Sequence, residues 1–232
     1  MKIFVGVKNS DLEALSCVFG KRVSFISWPD DNKMQSTVIF STMKKFASHD
    51  VCYIHFSGYK RLTNAELKIF QNRCINIHPA PPKYPGVGGL NHALYNNENC
   101  FGVTVHLMNT LIDDGKILDV VPFFIGKYKC LQKAICDLSA LRLQILEGII
   151  EDILQSSFDE YLDKHNHKKF SWSDKMWSRK ELNAMQTVLI NDSNDGHELE
   201  KRVRAFQTDA FPVQLQIKKR LFSLVEIRNE KI

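Results

Sequence analysis

The stretch CINIHPAPPKYPGVGGLNHALY, residues 74–95, opens as an apolar run and then becomes a stiff loop. Strand alternation turns Ile75 and Ile77 to one face and Asn76 and His78 to the other, the latter pair about 7 Å apart at Cα. Pro79 follows at once, removing a backbone donor and biasing His78 toward an extended conformation. Four of the seven prolines (Pro79, Pro81, Pro82, Pro85) lie in this loop. Gly86, Gly88 and Gly89 then let the backbone turn tightly and approach a ligand. An amide and an imidazole therefore project from the carboxyl end of a buried strand, where open α/β sheets bind ligands. Taken alone, the pair fits loop hydrogen bonding equally well.

Outward from this stretch, short apolar runs alternate with helical patterns. KIFVGV (2–7) reads as a buried strand, and SDLEALSCVFG (10–20) as a capped helix ending at Gly20. RVSFISW (22–28), TVIF (37–40) and DVCYIHF (50–56) read as strands, and LTNAELKIFQN (62–72) has helical spacing of Leu62, Leu67 and Phe70. FGVTVHLM (101–108) and KILDVVPFFI (116–125) read as further strands. The alternation predicts an α/β fold with a mostly parallel sheet. Residues 131–162 carry apolar positions every third or fourth residue, predicting one helix of about nine turns packed on the sheet. A short helix, HELEKRVRAF (197–206), follows the polar NDSNDG segment (191–196). VQLQIKKRLFSLVEI (213–227) then reads as two strands around a Lys-Lys-Arg turn. An isolated hairpin is marginal in water, so this one is expected to pack on the body or on a second subunit.

The 232 residues suffice for one substantial core or a domain with an appendage. With 44% apolar and 25% charged residues the chain is ordinary globular protein. The polar start MKIFVGVKNSDLEAL and the lack of a long apolar run argue against a signal peptide or membrane span. The six cysteines form no CxxC pair and are expected to be reduced and buried in a cytoplasmic protein, with no structural metal. A net charge of +5 suits a polyanionic small molecule and not a nucleic-acid surface.

Asn76-Ile-His78-Pro79, the loop to Gly86, Gly102-Val-Thr104-Val-His106 and Asp113-Asp114-Gly115 follow one another in fixed order. This series closely resembles the folate-dependent formyltransferases, strongly from about residue 50 to 119 and faintly before that. The resemblance implies a formyltransferase-type, Rossmann-like sheet flanked by helices, with a long helix and a C-terminal β-hairpin. It divides the chain into a catalytic domain, 1–165, and a helical segment plus hairpin, 166–232, packed on the core or dimerising.

By the same resemblance Asn76, His78 and Asp113 are the catalytic trio, and N10-formyltetrahydrofolate is the formyl donor. The residue types suit the chemistry. Asn76 can donate to the oxygen that becomes negative as an amine attacks the formyl carbon. His78 titrates near neutrality and can move the proton that the amine must lose. Asp113 can orient the imidazole; Asp114 competes for that role, but the Asp-x-Gly register favours Asp113. No nucleophilic side chain and no metal are called for. His106 is expected to support the site from behind. Tyr59, Ile112 and Asp114 are candidates for the folate, and Lys8, Asn9, Lys83, Tyr84 and Asn91 for the acceptor, with His92 beside the last. Trp172, Trp177 and Arg179 could form a base platform or simply pack the tail, while His165, His167 and His197 are expected in surface loops.

The His-Pro-Ala-Pro-Pro loop looks most like the branch that acts on nucleotide-linked amino sugars. The implied acceptor is dTDP-4-amino-4,6-dideoxyglucose, for O-antigen or similar lipopolysaccharide synthesis, in a homodimer without nucleic-acid or membrane partners. The alternatives are formylation of glycinamide ribonucleotide, an inactive folate or nucleotide binder, and a hydrolase that releases formate.

Overall fold

The computed structural model describes residues 1–29, 50–58, 61–166, 169–189, 196–209 and 211–224. Strands β1 (Lys2–Lys8), β2 (Ser24–Trp28), β3 (Val51–His55), β4 (Cys74–His78), β5 (Cys100–Leu107) and β6 (Ile117–Phe124) form one sheet in the order β2-β1-β3-β4-β5-β6. The first four run parallel, and β5 is antiparallel to both of its neighbours. The expected mostly parallel sheet is what forms. Parallel strands are covered on both faces, which is why Val51 to Ile54 and Ile75 and Ile77 are fully buried.

Crossover helices return the chain between parallel strands: α1 (Asn9–Phe19) after β1 and α2 (Asn64–Ile69) after β3. In α2, Thr63 accepts the Glu66 N–H while the Glu66 carboxylate accepts the Thr63 N–H, a reciprocal cap that fixes where the helix begins. No cap side chain bonds the start of α1 at Lys8, and Gly20 ends the helix in a right-handed conformation. The short α3 (Gly89–Tyr95) follows the proline loop. Because of these right-handed returns, the carboxyl ends of β1, β3 and β4 open on the same edge of the sheet. TVIF and Tyr59 lie outside the described residues.

Helix α4 (Leu131–Gln155) buries Leu138, Leu146, Ile149, Ile150 and Ile153 against the sheet. The single helix expected over 131–162 is interrupted. Ser156 leaves helical geometry at φ −123° and ψ −112°, and its Oγ donates to the Asp152 carbonyl. Ser157 then accepts the Glu160 N–H and starts α5 (Phe158–His165). Two adjacent serines thus end one helix and cap the next.

The tail holds α6 (Arg179–Gln186), β7 (Thr187–Leu189), α7 (Gly196–Phe206), β8 (Gln214–Ile217) and β9 (Arg220–Ser223). The hairpin expected at the C-terminus is the β8–β9 pair, but β7 joins it in parallel and makes a sheet of three strands. Val188, Ala205, Phe206 and Val213 belong to the same buried cluster as the large sheet, so the tail shares the main core. His165 closes α5 and His197 opens α7, so neither sits in a loop; His167 lies outside the described residues.

Of the cysteines, only Cys52 and Cys74 are buried; Cys17, Cys100, Cys130 and Cys136 are exposed, contrary to expectation. An apolar neighbourhood in sequence does not set the face: Cys17 sits on the outer side of amphipathic α1. Among the described residues no helix is long and apolar enough to cross a membrane.

Candidate active site

His78 ends β4, and its Nε2–H donates to the Tyr84 carbonyl at 3.0 Å. A carbonyl can only accept, so this bond fixes the tautomer and leaves Nδ1 as the working nitrogen. Nδ1 faces Asp113 Oδ2 at 3.4 Å. The loop that supplies Tyr84 is itself anchored. The buried Tyr84 hydroxyl donates to Glu98, and Thr104 Oγ1 donates to the Ala80 carbonyl at 2.7 Å.

Antiparallel pairing of β4 with β5 sets Asn76 opposite His106. The His106 Nδ1–H donates to the Leu107 carbonyl at 2.9 Å, so its Nε2 is the acceptor that Asn76 Nδ2 reaches at 3.0 Å. The other Asn76 N–H remains for a ligand. His106 Nε2 also lies 3.6 Å from Asp113 Oδ1, so the two histidines flank one carboxylate.

Asp113 sits in the left-handed region at φ 44°, a conformation Asp adopts more readily than most side chains. Its Oδ2 accepts the Gly86 N–H at 2.8 Å, and Gly86 has φ 97°. A Cβ at Gly115 would stand 1.7 Å from the Leu107 carbonyl oxygen, so the Asp-x-Gly turn closes only with glycine there.

The electrostatics follow from burial and these partners. Burial holds His78 below the usual imidazole pKa, opposed by the Asp113 charge and the Tyr84 carbonyl. For Asp113 burial works upward. The neighbouring imidazoles of His106 and His78 and the Gly86 N–H together outweigh it and leave the carboxyl below its ordinary value. The site therefore holds a charged carboxylate beside a neutral imidazole. A proton gained at Nδ1 would give a ring held at both nitrogens by acceptors, the arrangement expected of a general base.

A strap from the tail covers this centre. Ser173 N–H donates to the Pro82 carbonyl, Trp177 N–H to the Pro85 carbonyl, and Val87 N–H to the Trp177 carbonyl, each at 2.9 Å. Trp172 donates its indole N–H to the Gly115 carbonyl at 2.8 Å. Its ring meets His106 and His78 edge-on at 5.0 and 5.8 Å. Trp172 thus packs on the two histidines.

These groups open into a cavity of about 880 Å³ that Asn76, His78, His106 and Asp113 line. Lys8, Ile112, Trp177 and Arg179 also line it. His55 joins them; Tyr53 donates to its Nδ1 at 2.9 Å, and burial drops its pKa to about 4. The other candidates are engaged elsewhere. Lys83 pairs with Glu98, Asn91 donates to the Ala205 carbonyl, Asp114 accepts from Asn109, and Asn9, the first residue of α1, is not among the residues that line the cavity. His92 is buried against the Trp177 ring at 4.0 Å. Sequence reading missed Arg142, which reaches the cavity from α4; its only signal was a charge within an apolar helical face.

Residues 32–130 match the model of the formyl transferase family. Over 104 residues, 43% of this chain, it is 36% identical to the methionyl-tRNA formyltransferase of Borrelia garinii, and it spans 33% of that protein's length. The fold is shared with a Mycobacterium tuberculosis protein read as a sugar N-formyltransferase, at TM-score 0.69 and 16% identity, covering 100% of this chain and 99% of that one. It is shared also with an N-formyltransferase of Helicobacter canadensis in complex with folinic acid and dTDP-3-aminofucose, at TM-score 0.63 and 18% identity, covering 94% and 85%. The matched residues include β4, the proline loop, β5 and the turn that carries Asp113.

Proposed function

We propose that the chain is an N-formyltransferase whose donor is N10-formyltetrahydrofolate and whose acceptor is the amino group of a nucleotide-linked aminodeoxy sugar. The observation that carries this reading is the Asp113 carboxylate held between His78 and His106, with Asn76 beside them, in a cavity roomy enough for two ligands. The donor supplies the formyl group. Asn76 directs its free amide N–H to the oxygen that gains negative charge. His78 takes the amine's proton at Nδ1 and returns it to the departing nitrogen. Asp113 stabilises His78 while it carries that proton. The strap from Trp172 to Ser178 keeps bulk water off the trio.

The His-Pro-Ala-Pro-Pro loop points to dTDP-4-amino-4,6-dideoxyglucose and surface polysaccharide synthesis. A 3-amino sugar is the second reading, supported by the Helicobacter canadensis relative in complex with dTDP-3-aminofucose. The exposed Ile217, Leu221 and Phe222 of β8 and β9 support pairing of two copies through the tail sheet. The reading is tested by incubating the full chain with N10-formyltetrahydrofolate and separate 3-amino and 4-amino dTDP-sugars, glycinamide ribonucleotide, or no acceptor. One sugar nucleotide should release tetrahydrofolate far faster than the rest. Release without any acceptor would instead mark a hydrolase.

A further inference from the structure

We propose that Arg142, together with Lys8 and Ser10, forms a phosphate subsite at one end of the cavity, which seats the anionic part of the acceptor. The inference rests on the formyl-transfer reading and names which residues select its substrate.

Arg142 projects from α4 toward the strand ends. One guanidinium nitrogen, Nη2, donates to the Phe56 and Ile77 carbonyls, the latter at 3.3 Å, and the guanidinium lies over the Phe56 ring at 4.6 Å. Ile77 is the residue between Asn76 and His78, so the cation stands directly behind the catalytic strand end. No carboxylate among the described residues comes within ion-pair distance of Arg142, and its Nε is buried without a hydrogen-bond partner. Burial pushes the guanidinium down to about 10, with Asp11 acting in the opposite sense from farther off, so it stays charged at neutral pH. A half-buried cation held only by neutral carbonyls leaves its charge uncompensated until something anionic approaches it.

The surroundings are built for that anion. Lys8 ends β1 and lines the same cavity, and its backbone N–H donates to Ser57 Oγ at 3.0 Å. The carboxylate at this end, Asp11, already accepts the Ser57 hydroxyl at 2.6 Å. Ser139 adds a hydroxyl to the lining, and Ser10 adds another, which donates to Asp11 Oδ1 at 3.5 Å. Two cations against one occupied carboxylate leave net positive charge, and a guanidinium can engage two oxygens of one phosphate at once.

The test is calorimetric titration of the full chain with inorganic pyrophosphate, phosphate and acetate, alongside folinic acid as a donor-side probe. Wild type should bind pyrophosphate more tightly than phosphate, and acetate least. Arg142→Met should weaken pyrophosphate at least tenfold, Arg142→Lys should recover part of that loss, and all three proteins should bind folinic acid alike. Unchanged pyrophosphate affinity in Arg142→Met, no pyrophosphate binding by wild type, or acetate binding as tight as pyrophosphate would each overturn the subsite. Loss of folinic acid binding in Arg142→Met and Arg142→Lys alike would make Arg142 a structural brace and overturn it too. Failure of every amine to accept formyl would refute the formyl-transfer reading and leave these titrations to decide the anion site independently.

Discussion

Asn76 and His106 face each other across the β4–β5 pair, amide Nδ2 to imidazole Nε2, at 3.0 Å. Since the His106 Nδ1–H is committed to the Leu107 carbonyl, the pair can be satisfied only with the Asn76 amide as donor. The amide proposed to stabilise negative charge on a substrate is thereby held with its N–H side forward.

Asn76→Asp should lower kcat about 10²–10³-fold, because an acceptor replaces the donor at the developing oxyanion. The KM for formyltetrahydrofolate should change little. Steady-state kinetics at pH 7.5 check this. Activity within about threefold of wild type would remove Asn76 from the role, the range of an ordinary surface change.

His78 should titrate below a free imidazole, because burial outweighs the Asp113 charge. Its imidazole proton resonances, followed by NMR, should move only below about pH 6.5. Asp113→Asn removes a partner that favours the cation, so it should push the transition lower still. An upward move in that variant contradicts the arrangement.

His55 links pH to folding. Its pKa falls from 6.5 to about 4 on burial, so the unfolded chain takes up that proton first. Its contribution is intact above about pH 6.5 and is lost as pH falls from there toward 4, at most about 3 kcal/mol. Urea unfolding at pH 7 and pH 4.5 should show the loss. His55→Gln should flatten the dependence in that window even if it is less stable at pH 7.

Gly86→Ala should damage folding and catalysis together. A Cβ there would lie 2.2 Å from the Trp177 carbonyl oxygen, and φ 97° disfavours any side chain. The conformational strain alone is about 1–3 kcal/mol. Thermal unfolding should show the drop, and turnover should fall further than stability does, since Gly86 N–H also holds Asp113.

Much of the sheet was legible because buried parallel strands are short unbroken apolar runs, as in Val51–His55 and Cys74–His78. The break at Ser156 was not read, although Ser157 and Glu160 carry the spacing of a helix cap; the apolar rhythm continues across it. Strand β7 has three residues and directly follows a helix, too little for periodicity to register. The trio's candidates were legible from local spacing, but their neighbours were not. Trp172 reaches His106 from 66 positions along the chain, and Arg142 reaches Ile77 from 65. Local pattern carries no information on such pairs.

The strap places three main-chain bonds between the tail and the proline loop, two of them shared with Trp177. Undocking of the tail and loss of catalytic geometry are therefore one event. A protease that nicks the chain beyond α5 should abolish the proposed formyl transfer without cutting near any reacting side chain. Amide exchange at Val87 would then serve as a gauge of how often the intact molecule visits that silent form.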